Sequence, residues 1–225
     1  MFNNLKIIGT SHISEDSIKE VKAAVKDFKP EIIAVELDKK RYYSLNVKVE
    51  NTGLPKISRV GFSGFLFLII GRFLQKKLGS IVGVDPGSEM KTAVDICKKQ
   101  NLMLALIDRD IELTLRRFSK LFTFREKMRI LKDLIIAPFS REKIHFDISK
   151  VPKKELIKKL MEELKRRYPN IYRVLIDERN TFMAKKLFLL SRQHPDKKIL
   201  CVIGAGHEEG LLEELKKLYY SNVSF

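Results

Sequence analysis

Residues 5–38 read LKIIGTSHISEDSIKEVKAAVKDFKPEIIAVELD, and this stretch decides the fold. LKIIG (5–9) is a short apolar run closing on glycine, the pattern of a buried strand. The next segment places Ile18, Val21, Val25 and Phe28 at helical spacing, with Ser14 as N-cap, Glu15 and Asp16 in the first turn and Pro30 as the stop. EIIAVELD (31–38) is a second buried strand that ends in acids. The opening is therefore a βαβ unit.

Working outward, IVGVDPG (81–87) reads as a strand and turn, and SEMKTAVDICKKQ as a helix with Met90, Ala93, Val94 and Cys97 on one face. LMLALIDRD (102–110) and KILCVIGAGH (198–207) are further strands, the last followed by a short helix holding Leu211, Leu212, Leu215 and Leu218. Between these two strands, residues 111–192 turn helical and basic. Arg116, Arg117, Lys120, Arg125, Lys127, Arg129 and Lys132 cluster near Phe118, Phe122 and Phe124. A second amphipathic helix carries Leu156, Ile157, Leu160, Met161 and Leu164, and a third begins near Asp177. No repeat and no Pro/Gly/Ser-rich linker divides the chain. The expectation is one α/β domain over 1–225, a central, mainly parallel sheet flanked by helices, with 111–192 as a helical insertion or cap between the fourth and last strands.

Charge is lopsided: 44 Lys+Arg against 28 Asp+Glu give a formal +16 and a pI near 9.8. Such an excess suits an anionic membrane face or nucleic acid, but no nucleic-acid-binding motif accompanies it, so nucleic acid is the poorer expectation. Cys97 and Cys201 sit in apolar segments without framework spacing, which reads as reduced packing cysteines in a cytoplasmic protein. The first ten residues, MFNNLKIIGT, lack the charged and cleavable pattern of a secretory signal. GFSGFLFLIIGRFLQKKLG (61–79) has an uncharged run, Gly61–Gly71, too short for a membrane span, which needs ~20 residues. With Arg72, Lys76 and Lys77 behind it, the run reads as an anionic-interface segment or as core packing.

Parallel α/β sheets bind ligands beyond the carboxyl ends of their strands. There the chain delivers His12, Glu36 with Asp38, Asp85 with Glu89, Asp108–Arg109–Asp110, and His207. Two histidines with a carboxylate suit zinc, manganese or cobalt and leave room for an activated water. Each residue also has a structural reading. His12 can orient the first helix, and His207 can hydrogen-bond a carboxylate. Glu36, costly if buried alone, takes either a cation or Arg41. Arg109 stabilises an oxyanion or pairs with Asp108 or Asp110, and Asp38 caps a helix or turn. Glu178 and Arg179 form a solvated or mutually paired helix face.

Two tempting motifs fail. GHEEG is not a zinc-peptidase HExxH, since the second histidine is replaced by Leu211. GAGHEEG is not a dinucleotide loop, since only fifteen residues follow Gly210, too few for another strand and its acidic ribose ligand. No serine or cysteine has an evident triad.

Taken in order, GTSHISEDS (9–17), IIAVELDKKRYYSL (32–45), VDPGSEM (84–90), LIDRDIELTLRR (106–117), DERNTFMA (177–184) and VIGAGH (202–207) resemble the TraB/PrgY family, grouped with the Tiki proteases by two Gly-x-x-His motifs. The resemblance implies an α/β sheet with helical additions and, in the Tiki branch, a divalent-metal-dependent hydrolase acting on peptides or small proteins. It assigns His12, Glu36 and His207 to the metal (manganese, cobalt or zinc) and Glu36, Arg109 and Glu178 to catalysis. The alternative it carries is a non-catalytic protein that binds peptides or associates with a membrane. A homo-oligomer is compatible with either. Longer archaeal members carry a hydrophobic C-terminal region, whereas this sequence ends at Phe225.

Overall fold

The computed structural model describes residues 4–10, 15–46, 57–61, 63–65, 87–136 and 153–223. Among the described residues four strands form one sheet: β1 (Leu5–Thr10), β2 (Ile32–Val35), β3 (Met103–Leu106) and β4 (Ile199–Gly204). All pairings are parallel and the order is β1-β4-β2-β3. The α/β expectation holds. The predicted strand at 81–84 and the Ser14 cap lie outside the described residues, as do Asp85 and nearly all of 61–79.

β2 and β4 occupy the middle and are buried at every position, which is why IIAV and ILCVIG read as continuous apolar runs. Their side chains alternate between two cores. Ile32, Ala34, Ile199, Cys201 and Ile203 face one; Ile33, Val35, Leu200 and Val202 face the other. The second face is covered by α1 (Glu15–Phe28), through Val21, Ala24 and Val25, and by α4 (Ser88–Gln100), through the predicted Met90, Ala93, Val94 and Cys97. The short helices α2 (Lys39–Asn46) and α3 (Ile57–Val60) lie before α4 among the described residues.

Between β3 and β4 the chain builds α5 (Ile111–Leu121), α6 (Phe124–Ile136), α7 (Lys153–Arg167), α8 (Pro169–Tyr172) and α9 (Glu178–Gln193). α9 then packs on the first core through Met183, Ala184 and Leu187, joined by Leu211 and Leu215 of α10 (Ala205–Val223). The helix predicted as short after β4 is 19 residues long. Within α7, Leu160 departs from the predicted stripe and is 52% exposed.

Two local features position the site. α10 begins directly after β4, so His207 lies in the first turn of a helix rather than at the end of the strand read over 198–207. Before α9 the chain forms a π-turn over Arg173–Asp177. Such wide turns inside helices insert an extra residue and re-aim the side chains that come after it. Here consecutive residues Glu178 and Arg179 serve different partners.

Candidate functional site

The site forms at the carboxyl edge of the two central strands and β3. Glu36 is the residue after β2, is 3% exposed, and accepts a hydrogen bond at Oε2 from the Gly204 backbone N–H at 2.7 Å. That amide lies where β4 passes into α10, so the positive end of the helix faces the carboxylate. Asp108 follows β3, is 4% exposed, and accepts from the Arg109 N–H at 2.7 Å and from Arg41 Nη1 at 2.8 Å.

Arg179 joins these elements. Its Nη2 donates to Glu36 Oε1, and to Asp108 Oδ2 at 2.7 Å. Nε donates to Asp108 Oδ1 at 3.1 Å, and Nη1 to the Leu175 carbonyl of the π-turn at 3.2 Å. Nη1 also lies 2.9 Å from His207 Nε2. Burial by itself would lower the guanidinium's pKa, but the charges of Glu36 and Asp108 outweigh it and hold the group above its ordinary value. The ion is permanently charged.

His207 completes the centre. Nδ1 meets Asn180 Oδ1 at 2.7 Å, and Nε2 lies 3.4 Å from Glu36 Oε1. With the amide oxygen turned toward it, Nδ1 carries the proton and Nε2 is left as an acceptor. Asn180 has room because residue 210 is glycine: a Cβ there would collide with Asn180 Nδ2.

Arg109 and Glu178 form the outer half. Arg109 Nη1 donates to Glu178 Oε2 at 3.1 Å, and Arg117 Nη2 donates to Oε1 at 2.7 Å. The hydrogen bond from Arg117 is the largest influence on the Glu178 carboxyl; burial opposes it, and with Arg109 added the pKa falls below the ordinary glutamate range. Arg109 Nη2 is buried and has no hydrogen-bond partner among the described residues. Beside Glu178 opens a cleft of about 530 Å³ lined by Lys165, Tyr172, Arg173, Asp177 and Thr181.

Of the predicted site residues, the structure brings Glu36 and His207 together and pairs Arg109 with Glu178, each one residue along the chain from Asp108 and Arg179. Glu36 pairs with Arg179 rather than Arg41, and Arg109 with Glu178 rather than a neighbouring aspartate. Arg41 instead reaches Asp108. Asp38 is a cap, as read from the sequence, accepting from the Lys40 and Arg41 amides. His12 lies outside the described residues. The register pairs Thr10 with Gly204, so β1 ends beside the start of α10. Gly9 is required there: a Cβ would come within 3.0 Å of Ala205 Cα and strike the Glu208 side chain. The residues missed as participants are Arg179 and Asn180; the sequence places Asp108 at this edge, but only as an alternative partner of Arg109. Asp108 closes an apolar strand as Glu36 does; Arg179 and Asn180 carry no such signal.

Among the described residues no group of three His, Cys, Asp or Glu is placed to hold a metal ion. A divalent ion held by Glu36 Oε1 and His207 Nε2 would need to lie ~2.0–2.2 Å from each. The Arg179 guanidinium contacts both atoms and fills that place. With Arg179 there, the described residues do not fit a divalent ion.

Comparison with known proteins agrees with this frame. The TraB/PrgY/gumN family model matches residues 3–221. The chain is 42% identical to the uncharacterized protein MJ1365 of Methanocaldococcus jannaschii over 224 residues, 97% of this chain and 55% of that protein. It is 24% identical to the human TraB domain-containing protein over 237 residues, covering 91% of this chain and 61% of the relative. The mouse TraB domain-containing protein matches over the same shares, also at 24%. The chain thus spans somewhat over half the length of the curated relatives it matches. On a family match across nearly its whole length, the chain belongs to the TraB/PrgY/gumN family.

Proposed function

We propose that this centre hydrolyses acyl bonds in peptides or small proteins, with His207 as general base. The reading rests on one observation: His207 Nε2 and Glu36 Oε1 stand 3.4 Å apart at the carboxyl edge of the sheet, with an arginine hydrogen-bonded to both. Neutral His207, fixed by Asn180, presents Nε2 as a proton acceptor. Arg179 holds that lone pair at rest. A substrate carbonyl competes for the Arg179 N–H and releases Nε2 to take a proton from water. Hydroxide adds to the carbonyl carbon while Arg179 stabilises the oxyanion; Arg109, whose buried Nη2 has no hydrogen-bond partner among the described residues, is the second candidate donor. Glu36 stabilises the imidazolium, which returns the proton to the departing amine. The cleft reaches Glu178 but is not lined by His207, Glu36, Arg179 or Arg109, so it would hold a part of the substrate chain remote from the reacting carbonyl.

No step is assigned to a metal. The test is mass spectrometry of a diverse peptide pool incubated with wild type, His207→Gln, Glu36→Gln and Arg179→Lys, each with chelator and with added manganese or zinc. Chelator-insensitive products that fall by about 10²–10⁴-fold in His207→Gln support the reading. Products that require added metal restore the metal-dependent hydrolase implied by the resemblance. Absence of products from folded wild type leaves the non-catalytic peptide-binding alternative in place.

A further inference from the structure

Residues 113–132 contain seven cations and one acid, Glu126. All seven cations are exposed, whereas Glu126 is 4% exposed and spent internally: it accepts from Thr123 and from the backbone and side-chain amides of Asn170. The exposed charged side chains of 113–132 are therefore all cations, of which Arg117 is paired with Glu178, and the next residue along α6 is Asp133. α6 concentrates the cations, with Arg125, Lys127, Arg129 and Lys132 all exposed. Arg129 also donates to the Arg167 carbonyl at the end of α7, whose last turn adds Lys165, while Arg166 and Arg167 there pair with Glu163.

Apolar side chains stand in the middle of this charge. Phe124 is 75% exposed and Met128 47% exposed. Four residues apart on a helix, they share a face with Lys132, with Arg125 and Arg129 to one side and Lys127 to the other. A large aromatic left in water on a helix that already buries Glu126 on its inner side is not a core residue misplaced.

We propose that this face of α6 docks on an anionic lipid surface, with Phe124 and Met128 entering the headgroup boundary and the surrounding cations reaching the phosphates. Helices that lie on membranes combine an apolar strip with flanking Lys and Arg whose stems snorkel. Apolar insertion distinguishes this partner from nucleic acid, which would use the charge but gain nothing from Met128. The proposal is independent of the chemistry assigned to the site.

Vesicle co-sedimentation of the full chain tests it, using phosphatidylcholine alone and phosphatidylcholine with one third phosphatidylglycerol. Binding is expected only to the anionic vesicles, falling with added salt. Phe124→Ser combined with Met128→Ser is expected to lower the partition by about tenfold or more with an unchanged thermal melt. Arg125→Gln combined with Lys132→Gln is expected to weaken it by about fivefold for each charge near the surface. Undiminished binding of the apolar double variant would overturn the proposal, as would equal binding to neutral vesicles or none to either. Tighter binding to a single-stranded oligonucleotide, lost in the charge variant but kept in the apolar one, would overturn it in favour of nucleic acid.

Discussion

Arg179 Nη1 stands 2.9 Å from His207 Nε2, while Nη2 of the same guanidinium contacts Glu36 and Asp108. One cation thus ties β2, β3 and β4 together through the side chains that follow them. A group so placed acts on stability and on the site at once, and the two effects separate by experiment.

Removing Arg179 leaves buried Glu36 without its cation and Asp108 with Arg41 alone. Arg179→Met is expected to lose about 3–5 kcal/mol in urea denaturation, the usual result of breaking a buried pair from one side. Arg179→Lys should fall between, because an ammonium cannot span Asp108 with two nitrogens and still reach Glu36 and His207. A loss under about 1 kcal/mol in both variants would show that the cluster contributes little to the fold.

The same substitution tests metal binding. Wild type is expected to take up zinc or manganese weakly, since the guanidinium fills the space between Glu36 Oε1 and His207 Nε2. Arg179→Met empties that space and should raise uptake, read by calorimetric titration. Equal, stoichiometric binding in both proteins would mean that the ion sits elsewhere or displaces Arg179 readily.

Glu178 links the site to pH. Its carboxyl is held below the ordinary value, first by the Arg117 hydrogen bond and then by Arg109, so its contribution to stability is present above the unfolded-state pKa of 4.5. That contribution is lost as pH falls through the lower folded pKa. Glu178→Gln should therefore be less stable than wild type at neutral pH, with the gap closing in acid. A gap that stays constant across this range would assign the effect to packing.

Gly210→Ala should be destabilising although alanine favours a helix by about 1 kcal/mol. Its Cβ would strike Asn180 and disturb the hydrogen bond that sets the His207 tautomer. Combining it with Asn180→Ala should recover part of the loss by relieving the clash. Additive losses in the double variant would contradict this account.

Both cysteines are buried, and burial pushes Cys97 up to about 11 and Cys201 higher still. Neither should react with a thiol reagent in the native protein at neutral pH, and both should react in denaturant. Rapid native labelling at Cys97 would show that α4 opens from the sheet.

The sequence by itself determined the layers. Strand and helix periods are properties of the local backbone, so IIAV, ILCVIG and the spacing of Val21, Val25, Met90 and Cys97 state which faces are buried before any partner is known. It also placed Glu36 and His207 at one edge, because parallel strands deliver their following residues to the same side. Only the tertiary structure decided who pairs with whom. Glu36 takes Arg179, 143 residues away, in preference to Arg41, because Arg41 is turned toward Asp108 while the π-turn before α9 presents Arg179 to all three acceptors. Read locally, DERNT is a polar helix start fit for solvent. The burial of Asn180 and the partial burial of Glu178 and Arg179 come from the docking of α9 against the sheet edge, and ion pairs between distant elements depend on that docking, which no short-range pattern encodes.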